Sequence, residues 1–135
     1  MAQFPTAEQL TSRAALCPGN HESAGQRLRD ATRQGSPWLR RMDCQCVWAA
    51  ARTKNTYLSS QFRRLAARRG KNRAIIAVAH TLIVIGYHLQ KYQSNYDELG
   101  GNYFDRLHSD GLKRYLVKRL QQLGHKVTLE PIEAA

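Results

Sequence analysis

Apolar residues recur at helical spacing in several stretches of the chain, and Gly, Pro and Asn separate them. Thr6-Ala7-Glu8-Gln9 reads as a helix start, with Thr6 as cap and Gln9 three residues on. That short helix should run to about Leu16, before Cys17-Pro18-Gly19-Asn20 breaks it. Residues 17–36 hold Pro18, Gly19, Gly25 and Gly35 and read mainly as loop. Ser36-Pro37 predicts a second start, Ser as N-cap and Pro in the first helical position. Trp38, Leu39, Met42, Cys46 and Ala49 then follow at helical spacing. Asn55-Thr56 predicts a break and a new cap, and Tyr57, Leu58, Phe62 and Leu65 form the next stripe, which Gly70 ends.

Residues 74–89, AIIAVAHTLIVIGYHL, are too long for a strand and apolar on nearly every side, so they predict a central buried helix. The span reads as too short for a bilayer, and His80, Thr81 and Gly86 interrupt it. Residues 94–108 form a polar connection. Ser109 should cap a last helix that carries Leu112, Leu116, Leu120 and Leu123 and stops at Gly124. Lys126 to Leu129 read as a short extended tail before Pro131. The fold class is therefore all-α: a bundle of about four to five helices, with a long Gly/Pro loop near the N-terminus and an extended C-terminal tail. With 135 residues, one domain over 4–131 is expected, with 1–3 and 132–135 as tails.

Charge sharpens the picture. Arg27, Arg29, Arg33, Arg40, Arg41, Arg52, Lys54, Arg63, Arg64, Arg68, Arg69, Lys71 and Arg73 fall within 27–73, against Asp30 and Asp43 as the only acids there. That segment accounts for the whole net charge of +11. Eleven of its thirteen cations are Arg, whose planar fork matches phosphate. Two readings stand: a solvated cationic helix face, or a nucleic-acid interface. Three cysteines without a visible export signal do not make a disulfide framework, and the chain reads as cytoplasmic, with no membrane partner.

Candidate chemistry is sparse. Cys44-Gln45-Cys46 is a C-x-C pair in a predicted helix, where i, i+2 spacing points the sulfurs to different faces. His80 and His88 share nearly one face, with no ligand pattern to complete them. No metal site is expected. Asp97, Glu98, Asp105 and Asp110 read as solvated loop acids rather than a two-metal set. In the loop His21-Glu22-Ser23-Ala24-Gly25-Gln26-Arg27, a serine stands near Arg27 and Arg29. It is either a turn serine or a nucleophile clamped by guanidinium groups, which suit phosphoryl chemistry.

The ordered set FPTAEQL, CPGNHESAG, RQGSPWLRR, WAAARTKNTYL, QFRRLAARRGKNRAIIAVAH, LGGNYFD and VTLEP, from Phe4 to Pro131, is specific. It resembles the C-terminal domain of bacterial insertion-sequence transposases of the 110/116/902 family. The resemblance implies DNA transposition and recombination guided by a structured RNA. An N-terminal RuvC-like domain would hold Mg²⁺ on its acids, and the C-terminal domain would supply a serine nucleophile. That serine lies in a Ser-Gly-Gly-Lys-like stretch before a G-x-x-x-L-R helix start. Here it maps to Ser23, with Gly35, Leu39 and Arg40 matching the helix start. Gln26 stands where Lys is common, and Met42-Asp43-Cys44-Gln45-Cys46 replaces a more aliphatic run.

No RuvC-like segment precedes Phe4, so the expectation is a truncated or split transposase, inactive alone, with no cofactor in this chain. Its expected partners are DNA, a structured guide RNA, and a RuvC-like domain or full-length transposase in trans. Three alternatives remain open. One is a non-catalytic nucleic-acid-binding remnant. Another is an interaction module whose basic face only solubilises. The last is an inactive product whose Trp38, Trp48 and Tyr57 stripe has lost its cover.

Overall fold

The computed structural model describes residues 3–17, 19, 21–29, 32 and 34–130. Among them lie six helices and one two-stranded hairpin: α1 (Ala7–Arg13), β1 (His21–Ser23), β2 (Gln26–Arg29), α2 (Pro37–Arg52), α3 (Tyr57–Arg69), α4 (Lys71–Tyr92), α5 (Tyr103–Leu107) and α6 (Ser109–Gln122). The class is all-α. The helices number six among the described residues rather than four or five, because α5 forms inside the polar connection. The stretch read as mainly loop holds the hairpin.

The caps explain most helix boundaries. Thr6, Ser36 and Thr56 each accept a hydrogen bond from the backbone N–H three residues on, at Gln9, Leu39 and Ser59. α1 ends three residues earlier than expected, at Arg13, because Ala15 turns into the left-handed region at φ 58°. Asn55 takes φ 58° between α2 and α3, a conformation that Asn tolerates better than most residues. Gly70 alone joins α3 to α4, at φ 84° and ψ 159°, where a side chain would be strained. Ser109 is the first residue of α6 and not its cap; His108 holds that position, with no side-chain cap bond.

The chain divides into two compact units, Met1–Gly101 and Asn102–Ala135. In the first, α1, α2 and α3 all pack on α4. Ala74, Ile75, Val78, Ala79, Ile83 and Tyr87 of α4 are buried, joined by Ala14, Leu16 and Val47, with Leu39, Leu58, Phe62 and Leu65 against them. α4 is not buried all round as expected: Ala77, Gly86 and His88 are exposed. Nor is it short. At 22 residues, with a mean hydropathy of 1.3 over its 18-residue window, it is long and apolar enough to cross a membrane by length and composition. Here its apolar face meets three other helices, which is the behaviour of a core helix. The second unit pairs α5 with α6, and neither helix has a buried residue. Residues 125–130 adopt no regular structure.

Two polar clamps hold the ends of the first unit. The Tyr87 hydroxyl, on a 2% exposed residue, lies 2.6 Å from the Pro5 carbonyl and 3.0 Å from that of Phe4, tying the entry to α1 onto α4. Glu98 accepts from the backbone N–H of Tyr57 (2.6 Å) and of Gly100 (3.1 Å), and from the Tyr96 hydroxyl (3.1 Å). Gly101 N–H donates to the Asn55 carbonyl at 3.0 Å. Glu98 is thus a built part of the α2–α3 turn rather than a loose loop acid. Its negative charge also suits the N-terminus of α3. Burial raises its pKa, but the three donors outweigh that and hold it below the ordinary carboxylate value.

Candidate nucleic-acid interface and serine hairpin

Ser23 is the last residue of β1, and it pairs in register with Gln26 across the two-residue turn Ala24-Gly25. Both turn residues have positive φ, 51° and 74°, which marks a type I′ turn whose twist suits a tight hairpin. Gly25 takes this conformation freely, whereas Ala24 holds it at a cost of about 1 kcal/mol. Glu22 stands opposite Arg27, and the register shifts between His21 and Glu22. Ser23 is therefore one residue from the tip of a bulged hairpin, and bulges of this kind re-aim side chains next to functional sites.

The hairpin segment is closed at its base. Ser36 N–H donates to the Arg13 carbonyl at 2.8 Å, so the chain leaves α1 and returns to the same point before α2 begins. Gly35 fits against that point so closely that an added Cβ would lie 2.5 Å from the Arg13 carbonyl oxygen and 2.8 Å from Ala15 N. Beside it opens a cleft of about 420 Å³ lined by Arg13, Gln34, Gly35 and Ser36. Arg13 was not among the expected site residues, because it lies outside the cationic segment; its place in the last turn of α1 is the only sequence signal.

The expected cations fall into separate groups. Arg27 and Arg29 are on β2, and Arg33 lies outside the described residues. Arg40 and Arg41 occupy the start of α2, while Arg52 ends it and Lys54 precedes α3. Arg63 and Arg64 are on the exposed side of α3. Arg68, Arg69, Lys71 and Arg73, all exposed, gather around the Gly70 corner. The first turns of α2, α3 and α4 hold no acid. Nine of the thirteen cations are exposed on helices or their connections, and Arg40 is half-buried.

The apolar stripe of α2 lies elsewhere than its spacing suggested. Val47 is fully buried and Leu39 and Cys44 pack on the core, whereas Trp38, Met42, Cys46 and Ala49 face solvent. Asp43 sits one turn from both Leu39 and Val47, and its Oδ2 is buried without a hydrogen-bond partner. Burial pushes its pKa from an ordinary 3.8 to about 6. Burial also raises the Cys44 thiol, with Arg40 pulling it down and Asp43 pushing it up, so Cys44 is not an activated thiolate. Among the described residues, no group of three or more His, Cys, Asp or Glu side chains is placed to hold a metal ion.

Residues 1–64 match the family described as Transposase IS116/IS110/IS902 family. No curated protein and no solved structure matches the chain. The matched stretch contains the Thr6 cap, the serine hairpin, the Gly35 contact, all of α2 and the first half of α3. Over residues 1–64, just under half of its length, the chain is similar to the transposase IS116/IS110/IS902 family.

Proposed function

We propose that the chain handles nucleic acid within an insertion-sequence transposase, in the bacterial cytoplasm at the nucleoid. Its cations would grip DNA and a structured guide RNA, and Ser23 would be the nucleophile. The observation that carries this reading is the family match over residues 1–64, which spans the Ser23 hairpin and the Arg40–Arg41 start of α2. The tight turn supports it by fixing the backbone at Ser23.

In the proposed step, Ser23 Oγ bonds to a phosphorus atom as the P–O bond to the departing sugar oxygen breaks. The serine proton is relayed through water to the departing sugar oxygen, which leaves as a hydroxyl. Guanidinium groups along the hairpin and α2 would neutralise charge on the phosphate oxygens. Any Mg²⁺ the reaction uses would sit on the carboxylates of a RuvC-like domain acting in trans.

The test is strand exchange with an intact RuvC-like domain in trans. Ser23→Ala should abolish exchange and the covalent protein–DNA adduct while leaving DNA and RNA binding unchanged. Exchange that persists would remove Ser23 from the role. Binding should weaken steeply with salt, log K falling by ~0.9 per phosphate neutralised for each tenfold rise in salt; a flat salt profile would remove the interface.

A further inference from the structure

Among the described residues, Trp38 lies outside the core. It sits in the first turn of α2 with 73% of its surface exposed, although tryptophan is highly buried on average. Met42, one turn on, is 59% exposed beside it. The Arg41 guanidinium lies 5.7 Å from the Trp38 ring centroid. The helix's other tryptophan behaves differently: Trp48 is 42% exposed, and its ring is engaged by Phe62 at 6.2 Å.

What covers an exposed tryptophan depends on its surroundings. The first turn of α2 has no acid, and the one acid of this helix, Asp43, lies on its inner side. The ring is therefore flanked by the Arg41 guanidinium rather than by a mixed polar rim. A protein partner is usually met by such a rim. An aromatic face flanked by cations is instead the arrangement that binds unpaired nucleotides: the base stacks on the ring while the cation meets the phosphate. Duplex DNA keeps its bases stacked on each other and offers this ring nothing.

We infer that Trp38, with Arg41, is a stacking platform for an unpaired base of single-stranded DNA or RNA. This rests on the nucleic-acid reading above and narrows its substrate to include exposed single strands. The probe is a labelled oligo-dT strand, with oligo-U alongside and a duplex of equal length as reference, titrated at fixed moderate salt. Trp38→Ala should weaken oligo-dT binding about tenfold or more, the size of one lost base stack. Duplex binding should change less than about twofold, since that interaction is with phosphates. Trp38→Phe, which keeps a π-face, should recover most of the loss. Far-UV circular dichroism of each variant checks that α2 still folds, as removal of an exposed ring should allow.

Single-strand and duplex binding that are both unchanged in Trp38→Ala, or both reduced alike, would overturn the platform and leave the wider nucleic-acid reading standing. A wild-type chain that binds neither probe would overturn both. Unchanged binding with loss of self-association in sedimentation would assign the ring to a protein contact and overturn the platform.

Discussion

Replacing Gly35 by Ala adds one methyl group at a glycine packed directly against main-chain atoms. The new Cβ would stand 2.5 Å from the Arg13 carbonyl oxygen, 2.8 Å from Ala15 N and 3.0 Å from Ala15 Cβ. Two of these are main-chain atoms at the end of α1, so no flexible side chain can swing away. The main chain must move instead, and the Ser36 N–H bond to that same carbonyl opens with it. Overpacking of this kind costs about 1–3 kcal/mol, and the lost hydrogen bond adds about 1 kcal/mol. Together they take a large share of the ~5–15 kcal/mol that holds a typical domain folded. Urea unfolding followed by circular dichroism measures the change directly. Gly86→Ala is the control, because an added Cβ in the middle of α4 meets open space. That variant should gain about 0.5–1 kcal/mol from helix propensity alone. A Gly35→Ala protein within ~0.5 kcal/mol of wild type, the usual range for uneventful surface changes, would refute the close contact at the base of the hairpin segment.

Asp43→Asn should stabilise the chain at neutral pH. Between its ordinary 3.8 and about 6, the folded state keeps a proton that the unfolded chain releases, so wild-type stability should fall as pH rises through that window. Full burial would make the effect ~3 kcal/mol, and the partial exposure reduces it to ~1 kcal/mol; urea midpoints from pH 3.5 to 7 should lose this slope in the variant. Tyr87→Phe deletes the clamp on Phe4 and Pro5 and should cost about 1–2 kcal/mol, with faster amide exchange in α1 as the local sign. Neutralising Arg68, Arg69, Lys71 and Arg73 to Gln should lower the salt slope of DNA binding by about 3–4; an unchanged slope would take the Gly70 corner out of the interface.

The sequence made the helical core legible where backbone chemistry is local. Thr6, Ser36 and Thr56 announce their helices because a cap acts within three residues, and Gly70 announces a corner because few other residues tolerate its φ. The hairpin was missed because its strands are three and four residues long and lack apolar alternation. The orientation of α2 was misread for a related reason: Trp38, Met42 and Cys46 share helical spacing just as Leu39, Asp43 and Val47 do, and periodicity alone does not say which stripe faces inward. An acid within the buried stripe pointed the wrong way. Glu98 was read as a loop acid because its partner, Tyr57 N–H, is 41 residues away. Of the candidate site, Arg40 is legible in the charge run and Ser23 in its small-residue loop, the nucleophile's role comes from resemblance, and only tertiary structure reveals the tie between Arg13 and Ser36.

That tie has an evolutionary consequence. Ala14 and Leu16 are seated in the core, but the hairpin His21–Arg29 belongs to a segment whose ends meet at one hydrogen-bonded point, Arg13 and Ser36. Doubling the length of a loop anchored in this way costs only ~0.6 kcal/mol of closure entropy. Insertions, deletions and turn substitutions within the hairpin should therefore leave α1–α4 intact. The serine-bearing hairpin is in effect an exchangeable tool on a fixed handle: drift can reshape its reach and its chemistry without renegotiating the core.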